Sequence, residues 1–115
     1  MGFNATEMLE IIETMEGYIS RNRPPEHIRS KLDIGYRIEK QNVFVFEIRP
    51  NVVDPKIFDQ YDFAKTTYIR RQKTWKVYWM RASLNWDQYP TKKTIKTLSD
   101  FATVIETDEH GCFLG

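Results

Sequence analysis

The chain reads as an α+β domain: a five-stranded antiparallel meander sheet with an N-terminal and a C-terminal helix packed on one face. Three observations predict this. Apolar residues recur at three- and four-residue steps before Pro24 and again after Thr97, which is the helical period. Between those stretches apolar and polar residues alternate, the period of a half-buried strand. Short polar turns join the alternating runs and leave no room for a helical crossover, so neighbouring strands must pair antiparallel. At 115 residues the chain has room for one domain, 1–115, and its 41% apolar and 14% aromatic content can close a core without a cofactor.

The first helix starts at a capping box, with Asn4 as cap, Glu7 returning the bond and Phe3 placed to staple onto Met8. Met8, Ile11, Ile12, Met15, Tyr18 and Ile19 form its apolar stripe. It must stop before Pro24 and Pro25, and Pro25 through Arg29 suits one short helical turn. Leu32, Ile34, Tyr36 and Ile38 then alternate against Asp33, Gly35, Arg37 and Glu39 as a strand. After a turn at Lys40-Gln41-Asn42, Val43 to Ile48 is β-branched or aromatic on both faces, as a central strand would be. Pro50 and Pro55 bracket a loop. Phe63 to Arg70, Trp75 to Arg81 and Trp86 to Tyr89 complete the meander. Thr97 with Asp100 opens the second helix, striped by Leu98, Phe101, Ala102 and Ile105.

Helices on one face leave the other open, with more aromatic surface than water favours. A symmetric homodimer through that face is expected, its patch containing Val43, Val45, Tyr78 and Met80. Phe113 and Cys112 are expected to dock on the sheet, because apolar side chains after Gly111 gain by leaving water. No apolar run approaches the roughly 18 to 20 residues of a membrane span, and no signal-peptide pattern opens the chain. A single cysteine excludes an intramolecular disulfide. The expectation is a cytoplasmic protein with no membrane partner.

The net charge is only +1, but it is unevenly spread. Residues 60–97 hold nine basic and two acidic residues, a net +7, while residues 1–59 sum to −2 and residues 98–115 to −4. The basic segment also holds Trp75, Trp79 and Trp86. A sheet that interleaves cations with rings can stack bases and hold phosphates. That makes Arg70, Arg71, Lys73, Lys76, Tyr78, Arg81, Lys92 and Lys93 the candidate contacts for single-stranded nucleic acid or an acidic protein. In the competing reading Trp75, Val77 and Trp79 are simply the core face and Lys76, Tyr78 and Met80 the solvated one. A two-residue turn at Gln72-Lys73 would then set Arg70 opposite Trp75 as a structural cation–π contact.

An enzyme reading, the alternative, would use Cys112 as nucleophile with His110 beside it. The spacing is weak evidence, and the pair lacks a third orienting group. His27, His110 and Cys112 have neither the close-set pair nor the fourth ligand of a structural zinc site, so no metal or cofactor is expected. Arg37, Glu39, Glu47 and Arg49 read as cross-strand ion pairs on a solvated face.

Ile28-Arg29, Leu32 through Glu39, Phe46 through Pro50, Phe63 through Ile69, Trp75 through Ala82, Trp86 with Tyr89, and Gly111 through Gly115 resemble successive blocks of a small bacterial family, domain of unknown function 3024. These blocks span nearly all of the chain from Pro24 onward. The resemblance implies a bacterial, stand-alone, cytoplasmic domain and carries no activity with it. The residues themselves read as a non-enzymatic binding module.

Overall fold

The computed structural model describes residues 2–113, which leaves Leu114 and Gly115 of the tail outside the described residues. Helix α1 (Ala5–Asn22) starts on the expected capping box. The Asn4 side chain accepts from the Glu7 N–H at 2.8 Å, and the Glu7 carboxylate accepts from the Asn4 N–H at 2.9 Å. Phe3, expected over Met8, packs on the sheet, its ring stacked on Trp75 at 5.6 Å. A single 3-10 turn (Glu26–Ile28) follows the two prolines.

Strands β1 (Asp33–Glu39), β2 (Asn42–Pro50), β3 (Phe58–Ile69), β4 (Thr74–Met80) and β5 (Trp86–Gln88) pair antiparallel in chain order, the predicted meander. Two details go beyond the expectation. Strand β3 begins at Phe58 rather than Phe63, and a two-residue strand β6 (Thr94–Ile95) pairs with β4 at Trp75 and Lys76, beside β5. Helix α2 (Leu98–Thr107) starts at Thr97, whose hydroxyl accepts from the Asp100 N–H at 3.3 Å. No described helix is long and apolar enough to cross a membrane.

The two helices cover one face of the sheet. Ile11, Met15 and Tyr18 of α1 share a buried cluster with Leu98, Phe101, Ala102 and Ile105 of α2 and with Val43, Val45, Ala64, Trp75 and Val77 of the sheet. Val43 and Val45 are therefore core residues, not part of an open patch. Strand alternation sends Phe44, Phe46 and Ile48 the other way, and a run that is apolar on both faces does not reveal which half turns inward. The β2–β3 register steps from Val45 opposite Ala64 to Phe46 opposite Asp62, a bulge that leaves Phe63 unpaired and in the core cluster.

On the open face the ring of Phe46 lies over Gly35. A Cβ added at Gly35 would stand 2.8 and 2.9 Å from two ring carbons, closer than side chains tolerate. Gly35→Ala is therefore expected to displace the ring and cost about 1–3 kcal/mol. A loss under roughly 0.5 kcal/mol in urea unfolding, the range of an ordinary surface change, would show that the ring moves freely.

Two ion pairs tie the helix layer to the sheet, Arg70 to Glu7 at 2.8 Å and Arg23 to Asp33 at 2.8 Å, and a third, Arg21 to Glu106 at 3.1 Å, joins the two helices. Hydrogen bonds from these guanidinium groups hold all three carboxylates below their ordinary pKa values of 4.5 for Glu and 3.8 for Asp. A carboxylate whose folded pKa is depressed contributes stability above its unfolded pKa and loses it as pH falls through the folded one. The urea midpoint should thus hold from neutral pH to about 5 and decline below about 4. A midpoint that stays flat down to about pH 3 would mean these pairs do not contribute.

Candidate binding face

The face without helices is organised by register. Arg37 lies opposite Phe44, Phe44 opposite Lys65, Lys65 opposite Tyr78 and Tyr78 opposite Gln88, one row across five strands. Cation and ring alternate along it. The Arg37 guanidinium sits 4.3 Å from the Phe44 centroid, and Lys65 Nζ sits 4.6 Å from that of Tyr78. Trp86, paired with Met80, leans back over the row. Its ring lies 4.9 Å from Lys65 Nζ and 6.0 Å from Phe44. A polar row of Asn42, Thr67, Lys76 and Thr94 runs alongside, where the Thr67 hydroxyl donates to Asn42 Oδ1 at 2.6 Å.

The two cations of the row differ in their electrostatics. Arg37 is compensated: it grips Asp62 through two hydrogen bonds of 2.6 and 2.8 Å and also pairs with Glu39, and the Asp62 bonds raise its pKa. Lys65 has no carboxylate partner among the described residues. Burial pushes its pKa down, and only ring faces offset the lost hydration. A half-buried ammonium without a counter-ion is a place where an incoming anion gains.

The structure disperses the sequence-predicted contacts. Lys76 and Tyr78 stand on the open face with Lys65. Arg70 is occupied, bonded to both Glu7 carboxylate oxygens at 2.8 and 3.0 Å, with its guanidinium over Tyr68 at 5.5 Å. It does not face Trp75. Ile69 pairs with Thr74, so the turn has four residues and Lys73 takes a left-handed φ of 54°, which sets Tyr68 opposite Trp75. Lys73 lines a cleft of about 530 Å³ on the helix side, between α1 and the start of α2. Lys92 lines a small groove against α2, and Arg71 and Lys93 are exposed on turns. Arg81 forms an exposed ion pair with Asp87 at 3.2 Å. Of the tryptophans, Trp75 and Trp79 serve the core side and Trp86 the open face.

Sequence reasoning missed Lys65, Phe44 and Trp86 as neighbours. The signal was the two-residue turn at Lys40-Gln41: closing it pairs Glu39 with Asn42 and so brings Arg37 to Phe44. At the tail, Cys112 Sγ approaches the His110 carbonyl oxygen at 3.9 Å, whereas the His110 ring lies against Tyr89 and Thr91. Burial, with Asp108 and Asp87, raises the thiol pKa, the opposite of an activated nucleophile. Among the described residues no three His, Cys, Asp or Glu side chains converge as a metal site would require.

Helices on one face and a cation–aromatic row on the other define an α+β domain with an open-faced antiparallel sheet. The chain belongs to the family described as domain of unknown function (DUF3024), whose model matches residues 3–115. No curated protein and no solved structure matches it.

Proposed function

We propose that this domain is a non-enzymatic binding module that holds single-stranded nucleic acid on the open face of its sheet. The observation that carries the reading is Lys65, a half-buried cation seated among Tyr78, Trp86 and Phe44 with no carboxylate opposite it. A phosphate supplies the missing counter-ion, and the neighbouring rings supply stacking surface that tolerates any base. Lys76 extends the cationic track along the adjacent row. Arg71 and Lys93 add to the surrounding positive field, while Arg70 and Lys73 contribute mainly to the turn and the helix side. The raised thiol pKa gives the alternative, catalysis at Cys112 and His110, no support.

The test is the anisotropy of a labelled single-stranded oligomer from low to physiological salt. The native protein should bind weakly, with an affinity that falls steeply as salt rises, because the counter-ions released on binding then gain less entropy. Tyr78→Ala should weaken binding by about 1–3 kcal/mol, the value of one stacked base. Lys65→Met keeps the packed stem and removes the charge. It should abolish most binding and leave stability within about 1 kcal/mol, because the buried charge is itself poorly solvated. Changing Arg70, Arg71 and Lys73 together to Glu should act less than Lys65→Met. No binding even at low salt would sink the nucleic-acid reading and leave an acidic protein as the partner to seek.

A further inference from the structure

The two helices meet at their carboxyl ends, where Arg21 and Asn22 of α1 donate to the Glu106 carboxylate of α2 at 3.1 and 2.8 Å. Helix α1 has 18 residues against ten in α2, so its first half runs on beyond the start of α2. The cleft of about 530 Å³ lies in that gap. Its apolar lining belongs to the core: Phe3 stacked on Trp75, Tyr68 at 4.9 Å from Trp75, and the buried Ile11 and Leu98. The charged lining divides by sign. Glu10 and Glu13 stand three residues apart on the α1 wall, while Lys73 comes from the β3–β4 turn and Lys96 from the approach to α2. Glu7, beside them, is committed to Arg70, but none of these four forms an ion pair among the described residues. Two carboxylates and two ammonium groups thus share one apolar cleft without neutralising each other.

We propose that this cleft binds a short peptide with free ends, its amino terminus at Glu10 and Glu13, its carboxylate at Lys73 and Lys96, and its apolar side chains on the rings of Phe3 and Trp75. Charge selects the class. A ligand of one sign, such as a fatty acid or an alkylamine, satisfies one wall and leaves the other without a counter-ion, whereas a molecule charged at both ends satisfies both. Size selects within it. A volume of about 530 Å³ lies in the range of sites for ligands of drug size, which a di- or tripeptide is and a free amino acid is not. The interior of the ligand is matched as well: the apolar floor takes its side chains, and the Thr14 and Ser99 hydroxyls in the lining can each donate or accept at a peptide group. The inference does not rest on the nucleic-acid reading, since the cleft opens on the helix side of the sheet and the cation–aromatic row on the other.

Titration calorimetry of the full chain with leucyl-phenylalanine tests it. One site with a sub-millimolar Kd is expected for a ligand of that size. Acetylating the amino end or amidating the carboxyl end should each weaken binding about fivefold, the upper value of an exposed ion pair. Glu10→Gln with Glu13→Gln should remove the preference for a free amino end and keep that for a free carboxylate; Lys73→Met with Lys96→Met should do the reverse. All four side chains are exposed, so these variants should fold as the native chain does. In magnetic resonance spectra the peptide should shift the Trp75 indole and the Leu98 and Ser99 amides. No binding up to about 10 mM, equal affinity for free and blocked peptides, preferences that survive both pairs of substitutions, or equally tight binding of free leucine overturns the proposal. So do shifts confined to Phe44, Tyr78 and Trp86, because they place the peptide on the open face.

Discussion

Phe101→Ala should cost about 3–5 kcal/mol, the range for emptying a fully buried phenylalanine site. Phe101 has no solvent exposure and belongs to the cluster that joins α2 to α1 and the sheet. Helix α2 has ten residues, too few to persist in water on its own, so its helicity depends on that packing. Domains of this size are stable by about 5–15 kcal/mol, and the change would remove a large part of it. At about 4–8 °C per kcal/mol, the melting temperature should fall by roughly 15 °C or more. Circular dichroism melts decide the matter; a fall of only a few degrees would mean that the helix layer closes over the cavity without loss.

The second large effect lies at the tail. Phe113 is buried, stacked on the fully buried Tyr89 at 4.9 Å and an interplanar angle of 18°, and its N–H donates to Asp108 Oδ1 at 3.1 Å. Asp108 and Gly111 both take left-handed φ, 43° and 64°, which turn the chain back from the end of α2 toward the sheet. The His110 N–H then reaches the Tyr89 hydroxyl at 3.2 Å. Phe113→Ala should therefore cost about 3 kcal/mol, low in the range for a buried phenylalanine because the site lies at the chain end. Deleting Gly111–Gly115 should lower the melting temperature at least as much. An unchanged melting curve for the deletion would mark the tail as free and make a reactive role for Cys112 worth reopening.

Tyr36 offers a smaller check at the other end of the pH scale. Burial first, then a hydrogen bond with Glu16, pushes its phenol pKa up to about 12 from an ordinary 10.0. A phenol with a raised folded pKa contributes stability below its unfolded pKa and loses it as pH rises through the folded one. Stability should fall between pH 10 and 12 as a consequence, and Tyr36→Phe should make that limb less steep, the remainder belonging to Tyr18 and Tyr89, whose phenols burial also raises.

Much of the fold was legible because its cues are local. Asn4 and Glu7 sit three residues apart, and that spacing is the capping box whatever the rest of the chain does. Pro24 and Pro25 end α1 for a reason internal to their rings. The β3–β4 turn was harder: a two-residue loop and a four-residue loop both suit Arg70 to Lys73, and the choice decides whether Arg70 or Tyr68 meets Trp75. Strand β3 was read too short because Asp59, Gln60 and Asp62 are poor strand formers. There it is pairing with β2, not propensity, that keeps the chain extended.

Period, caps and turns thus settled the order of elements and the antiparallel meander, since each depends on residues a few positions apart. The candidate site depended on distant ones. Val43 to Ile48 could have turned either set of side chains inward, and it is packing against α1 and α2 that selects Val43 and Val45 for the core and leaves Phe44 to the open face. Which cations are free was decided the same way. Arg70 carries the same charge as Lys65 in the sequence, but the fold brings Glu7 to Arg70 from 63 residues away and only aromatic rings to Lys65. A charge is set by its side chain; its compensation is set by whatever the tertiary structure places within a few ångströms.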